Sequence, residues 1–409
     1  MRTIHVVGAG LAGLAAATAL AKDEHVVIYE GSPQAGGRCR SYRDPVLDQT
    51  IDNGNHLVLS GNHAVTTYLK RIGAQNALAG PDRARFDFAD VRTGRRWAIR
   101  PNEGPIAWWV AAPERRVPDT RLGDYLGLLG LIAPGATKRI RDVAACEGPL
   151  WERLMRPFLL AALNTEPEDA SAALAAAVIR ETLVKGGRHY RPRIAHPTLA
   201  SAFVDPALKH LESKGATVAF GQRLRRIAFD GGRVASLEFP DRAIEIGADD
   251  RVILAVPPWA AQELVPDLSA PGEFRAIVNA HFKIAPPAGA PAMLGVIGGT
   301  VEWIFTFPDR ISITISGADR LLDTDRDALA AALWRDVAAA LNIAEPMPTW
   351  QIVKERRATF AALPAQDAKR PGTRTRWTNL LLAGDWTATG LPATIEGAIR
   401  SGHKAASLL

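Results

Sequence analysis

Two glycine-rich stretches stand at opposite ends of this chain and make sense only as halves of one site. Residues 3–13 read TIHVVGAGLAG, and residues 381–402 read LLAGDWTATGLPATIEGAIRSG. A fold that unites them must bring the C-terminus back to the first strand and enclose nearly the whole sequence between. The β-branched run Thr3 to Val7 and the alanine- and leucine-rich run Leu11 to Leu20 predict a strand, a tight turn and a helix. Gly8 allows the turn, Gly10 lets backbone approach a phosphate, and Gly13 permits the helix to pack closely on the strand. The helix start at Leu11 and Ala12 then offers free N–H groups and the positive end of a dipole to an anion. This is the pattern of a dinucleotide pyrophosphate site.

A second apolar strand, Val26 to Tyr29, ends at Glu30. A carboxylate there is placed to accept the adenosine ribose hydroxyls and to repel an added 2′-phosphate. The segment GSPQAGGRCRS follows. Gly36 and Gly37 let backbone run close to a ligand, and Arg38 offers a planar fork of donors. These residues resemble the Gly-Gly-Arg signature of the flavin amine oxidase and carotenoid desaturase superfamily. An additional arginine often present in that superfamily shortly before the glycine pair is replaced by Gln34 here. The resemblance implies FAD rather than NAD.

The same resemblance assigns further cofactor contacts. Gly384 and Asp385 would lie against the pyrophosphate and ribityl chain, with the carboxylate on a ribityl hydroxyl. Pro392 suits a first helical turn, and a helix from about Ala393 to Ser407 would direct Pro392, Ala393 and Thr394 at the flavin, where its dipole stabilises negative charge on the reduced ring. Gly397 and Gly402 weaken that helix and so mark close packing. Leu224 matches the position whose backbone touches adenine. Residues 52–64, DNGNHLVLSGNHA, occupy the stretch that runs to the flavin ring. Gly54 and Asn55 are candidates for contact with it, and Asn55 and His56 are the candidate catalytic residues. With no cysteine after Cys146, a C-terminal cysteinyl link is excluded and FAD is expected to be non-covalent.

The expected fold class is α/β, with α+β character in the substrate part: a Rossmann-like FAD-binding domain of the flavin amine oxidase type carrying an inserted substrate domain. The discontinuous FAD-binding domain comprises 1–75, 195–260 and 372–409. The substrate domain comprises 76–194, read as mostly helical, and 261–371, with a hairpin of VEWIFTF (301–307) and ISITIS (311–316) turning at Pro308-Asp309. Residues 215–239 alternate as two strands around Asp230-Gly231-Gly232.

The net charge of +6 comes from scattered arginines. Without an interleaved basic and aromatic motif it does not point to nucleic acid. Two cysteines, Cys39 and Cys146, make no disulfide framework, so a reducing cytoplasm is the expected location. The chain does not start like a signal peptide, and no run reaches the roughly 20 apolar residues of a spanning helix. No metal-ligand spacing or Gly-x-Ser-x-Gly elbow is present.

Trp303, Phe305 and Phe307 alternate on one face of a strand, either as core packing or as the wall of an apolar substrate cavity. Trp108 and Trp109, and the run LGDYLGLLGLIAPG after them, read either as buried parts of the insert or as one-sided membrane contact. Arg95–Arg96 and Arg115–Arg116 suit an anionic surface on the inner face of a cytoplasmic membrane.

Over almost its full length the chain resembles the squalene-associated FAD-dependent desaturase family, also called the hydroxysqualene dehydroxylases. DNGNHLVLSGN, NTEPEDASAA, PTLASAFVDPA and GDWTATGLPATIEGAIRSG carry the likeness. It implies a step of squalene and hopanoid biosynthesis in which reduced FAD gives hydride to a hydroxylated polyprenoid and water leaves, with upstream squalene-pathway enzymes as partners. An amine oxidase, a carotenoid-type desaturase and a flavin-free prenyl-lipid escort would share much of this architecture. Intact Glu30, Gly37, Arg38 and Asp385 argue against the escort.

Overall fold

The computed structural model describes residues 2–409. The first strand, Thr3–Val7, lies at the centre of a parallel five-stranded sheet in the order Thr217–Ala219, His25–Tyr29, Thr3–Val7, Arg251–Leu254, Leu380–Leu382. Strands buried on both faces read as continuous apolar runs, as HVVIY and LLL do. The helix Leu11–Leu20 is buried almost all round, because the C-terminal helix Ile395–Ala406 packs on its outer side. Gly402 makes that approach possible: a Cβ there would stand 2.2 Å from the Ala12 carbonyl oxygen.

A second, seven-stranded sheet has the order Trp350–Phe360, Phe274–Phe282, Arg310–Ile315, Trp303–Phe307, Met293–Ile297, Phe86–Asp90, Arg96–Ile99. The expected hairpin closes at Pro308-Asp309, with Phe307 opposite Arg310. One face of this sheet packs Ile304, Ile313 and Val278 against the helix Arg326–Leu341. The other face carries Trp303, Phe305 and Phe307 toward a core shared with Trp109, Leu131, Trp151 and Leu159 of the insert.

Three expectations need correction. Residues 76–194 are less helical than their alanine content predicts: Phe86–Asp90 and Arg96–Ile99 are sheet strands. The regular helices of eight or more residues there are only Arg156–Leu163 and Ala172–Glu181, since prolines at 81, 101, 105, 113, 118 and 134 interrupt any longer one. Residues 215–239 give three strands, not two. Thr217–Ala219 joins the parallel sheet, while Arg226–Asp230 and Arg233–Glu238 form the hairpin, turning through Gly231 and Gly232 at φ 53° and 81°. The C-terminal helix starts at Ile395, so Pro392 and Ala393 precede it; the Thr394 hydroxyl fixes the start by accepting from the Gly397 N–H at 3.0 Å. No helix among the described residues is long and apolar enough to cross a membrane.

Candidate flavin and substrate site

The first glycine turn is tight at two positions and open at the third. Gly8 has φ +105°, and a Cβ there would lie 2.6 Å from the Ala255 carbonyl oxygen. At Gly13 a Cβ would lie 1.9 Å from the Gly8 oxygen. At Gly10 a Cβ meets nothing within 4 Å, so a side chain is excluded there by no part of the protein. A cradle that excludes side chains only in favour of an approaching ligand fits a pyrophosphate. Glu30 sits beside the turn, its Oε2 accepting from the Ala9 N–H at 2.8 Å and its Oε1 from the Ser32 N–H and hydroxyl. Gly36 donates its N–H to the Ala9 oxygen at 2.8 Å, which seats Gly36 and Gly37 against the same turn. Leu224 is buried just ahead of the Arg226–Asp230 strand.

The two terminal half-sites meet at Arg38. Its guanidinium donates to Asp385 Oδ1 at 2.7 Å and to the Ala358 oxygen at 2.5 Å. The loop carrying Asp385 is held from below by Arg370, which donates to the backbone oxygens of Asp385 and Thr387 and to Thr389 Oγ1. Gly384 is required because a Cβ would strike the Trp386 indole, whose N–H is bound to the Val256 oxygen at 2.9 Å. A cleft beside the pair is lined by Pro257, Trp259, Phe274, Arg357, Phe360 and Trp386. Arg357 stacks over Trp259 there, 4.8 Å from its centroid.

The segment 52–56 crosses from this seam to the seven-stranded sheet. Gly54 admits Asn279, whose Nδ2 would stand 2.8 Å from any Cβ. Asn55 donates Nδ2 to Thr314 Oγ1 at 3.1 Å, and Asn53 donates to Glu355 Oε2 at 3.2 Å. His56 is half-buried; burial, aided by Arg38, pushes its imidazole down to about 4. The imidazole is therefore neutral at ordinary pH.

Strand register divides the face of that sheet into two halves. Thr314 pairs with Asn279 and Trp303, and Ser312 pairs with His281 and Phe305, so these side chains share a face. Its polar half is Asn279, His281, Arg310, Ser312 and Thr314. Its aromatic half continues through Trp303, Phe305, Phe307, Phe88 and Trp97. Native proteins leave few buried polar atoms unpaired. Among the described residues ten buried side-chain polar atoms lack a protein partner. Four of them, Trp97 Nε1, His281 Nε2, Trp303 Nε1 and Arg310 Nε, belong to this face, and Asn55 Oδ1 lies against it. Trp303, Phe305 and Phe307 are all buried, and none of them lines the cleft at Arg38.

Gly8, Gly10, Gly13, Glu30, Gly36, Gly37, Arg38, Gly384 and Asp385 thus converge on one seam, and Gly54 and Asn55 lead from it to the divided face. Pro392, Ala393 and Thr394 lie at the start of the C-terminal helix. Arg370, Asn279, His281 and Ser312 were not legible as site residues. They sit in segments with no motif, and only strand register and loop closure bring them in.

The comparisons agree with this geometry. A sequence profile described as "Flavin containing amine oxidoreductase" matches residues 11–409. The hydroxysqualene dehydroxylase of Rhodopseudomonas palustris is 53% identical, over 100% of this chain and 98% of its own. That of Sinorhizobium fredii is 52% identical, again over 100% of this chain and 98% of its own. The crystal structure of an oxidoreductase from Methanosarcina mazei superposes with a TM-score of 0.75 at 15% identity, covering 99% of this chain and 100% of that one. The cofactor is FAD. The chain belongs to the flavin-containing amine oxidoreductase family and, within it, to the hydroxysqualene dehydroxylases.

Proposed function

We propose that this enzyme removes the allylic hydroxyl of hydroxysqualene reductively and releases squalene and water. The observation that carries this reading is the divided sheet face: one half polar, the other aromatic, with unpaired buried donors in both, His281 and Arg310 in the first and Trp303 and Trp97 in the second. A polyprenoid alcohol has the same division. Its hydroxyl oxygen accepts from the Trp303, His281 or Arg310 N–H groups, and its hydrocarbon lies along Phe305, Phe307 and Phe88. Reduced FAD, when bound, supplies the hydride. Hydride replaces the C–O bond by a C–H bond, and the hydroxyl leaves as water with one proton, so that the two hydrogens lost by the cofactor appear in the products. Aromatic faces steady positive charge that develops as the C–O bond lengthens, and a closed apolar wall keeps water from capturing it.

Amine oxidation is less well supported. The aromatic pair Trp259 and Phe274 in the cleft already holds Arg357, and Asp385 is paired with Arg38. A second cation would meet two guanidiniums there and no free carboxylate. The cofactor-binding unit is taken as 1–75, 195–260 and 372–409, and the substrate unit as 76–194 and 261–371. In support, the parallel sheet draws its strands from the first set and the seven-stranded sheet from the second. The substrate hardly dissolves in water, so it is collected from one leaflet of a membrane or handed over by the enzyme that makes it. Incubation of the holoenzyme with hydroxysqualene and dithionite, followed by mass spectrometry, tests the reaction. Squalene is the expected product; unchanged alcohol, or turnover of a primary amine in air, would replace this reading.

A further inference from the structure

Large apolar side chains are rarely exposed in clusters, and here they are unevenly distributed. Ile106, Trp108, Leu122, Leu126, Leu129, Ile132 and Val184 are seven of the eleven that are exposed, and all come from the insert. Contacts bring them together. Trp109 stacks edge-on with Tyr125 at 5.8 Å, joining the Trp108–Ala111 turn to the 3-10 helix Leu122–Leu131. Asn102 binds the Ile106 oxygen by its side chain and the Gly187 N–H by its own oxygen, which brings the Val184 turn alongside. Arg180 donates to the Ile132 oxygen at 2.9 Å.

The 3-10 helix has an unusual division of labour. Side chains at i and i+3 eclipse in such a helix, and runs beyond three or four residues are uncommon. Tyr125, Leu128 and Leu131 form the stripe that packs inward. Leu126, Leu129 and Ile132 form a second stripe, exposed by 64%, 58% and 39%. The third stripe is Asp124, Gly127 and Gly130, so little polar surface separates the apolar side chains from solvent. Gly130 fastens the helix, since a Cβ would lie 2.0 Å from the Val143 oxygen. The outward leucines are thus held on a fixed support.

Cations rim the patch. Arg115 lies over the exposed Trp108 ring, 4.6 Å from its centroid. Arg115, Arg116, Arg121, Lys138 and Arg180 make no ion pair among the described residues, whereas the acids between residues 106 and 138 are Glu114, Asp119 and Asp124, and Asp119 is already paired with Arg95 and Arg153. Apolar side chains with an interfacial tryptophan and a ring of unpaired arginine and lysine match an anionic bilayer surface in both polarity and charge. A protein partner of acidic character would match the charge but would not be expected to require the bare leucine stripe.

We propose that this face, centred on Leu126, Leu129 and Trp108, docks the enzyme on one leaflet of an anionic membrane, from which the polyprenoid substrate enters. The inference rests on the substrate assigned above. Its test is flotation of the FAD-loaded protein with vesicles of phosphatidylcholine containing about 30% phosphatidylglycerol, and with vesicles of phosphatidylcholine alone. The wild type should float with the first and bind the second at least tenfold more weakly. Leu126→Ser/Leu129→Ser should reduce flotation about tenfold or more, with flavin absorbance and melting temperature unchanged. Arg121→Gln/Lys138→Gln, which alters no packed side chain, should lose the preference for anionic lipid. Val46→Ser, an exposed apolar residue outside the insert, should float like the wild type. Wild type that stays with the unbound protein, or a leucine variant that floats equally well, overturns the proposal. Conversion of detergent-dispersed hydroxysqualene is measured alongside: its loss in the wild type would strike the reaction itself, whereas its retention with no flotation would strike only the membrane surface.

Discussion

Arg38 and Asp385 are separated by 347 positions, and their side chains meet at 2.7 Å across the seam between the first and last segments of the fold. The same guanidinium reaches the Ala358 oxygen in the seven-stranded sheet. One side chain therefore ties both glycine-rich ends to the seven-stranded sheet. A lysine cannot span these partners with a planar fork. Arg38→Lys is expected to weaken FAD binding about 10- to 100-fold, the scale of one lost charge-assisted hydrogen bond at roughly 1.5–3 kcal/mol. Melting of the apoprotein should change little, because the arginine side chain is still partly exposed and screened. Fluorescence titration of apoprotein with FAD checks the first expectation, and calorimetry the second.

The three glycines of the first turn should separate cleanly by mutation. Gly10→Val meets open space and is expected to fold, yet to block the approach of the pyrophosphate. Gly13→Val drives its Cβ into the Gly8 oxygen and is expected to prevent folding. Circular dichroism and FAD titration on both variants distinguish the roles. A folded Gly10→Val that binds FAD normally would move the pyrophosphate elsewhere.

The first half-site was legible because strand, turn and helix are local, and each glycine answers to a local steric need. The hairpin at Pro308-Asp309 was legible for the same reason. Periodicity failed where contacts are distant. It could not show that Thr217–Ala219 leaves its neighbour hairpin for the parallel sheet, nor that Phe86–Asp90 crosses to pair with Met293–Ile297. The aromatic alternation of Trp303, Phe305 and Phe307 was plain in the sequence. Its polar counterpart was not, because His281 and Asn279 become its neighbours only through register with Ser312 and Thr314.

His56 is expected to act without changing its charge. Its folded pKa is lowered to about 4 by burial and by Arg38, against about 6.5 unfolded. The fold thus favours the neutral ring: this contribution to stability is complete above about pH 6.5 and is lost as pH falls toward 4. The rate–pH profile between about pH 6 and 9 should show no limb that belongs to His56. A limb near neutrality that disappears in His56→Gln would assign the histidine a proton-transfer role instead. Denaturant unfolding of the same variant should lose part of the acid sensitivity of the wild type between about pH 6.5 and 4.

Trp303→Phe keeps the ring in the aromatic half and deletes the buried N–H. Loss of one neutral hydrogen bond is about 0.5–1.5 kcal/mol, so the KM for hydroxysqualene should rise roughly 2- to 10-fold. Inhibition by squalene, which has no hydroxyl, should stay the same. An equal change for both ligands would make Trp303 a packing residue only.

The central claim is that electrons flow from the flavin to the polyprenoid. The direct measurement is a single turnover without oxygen: the holoenzyme is photoreduced, mixed with hydroxysqualene, and followed by absorbance and by extraction of the product. The account predicts that the colour of oxidised flavin returns and that one squalene forms per flavin. A flavin that stays reduced until air is admitted, with the alcohol recovered intact, would contradict it.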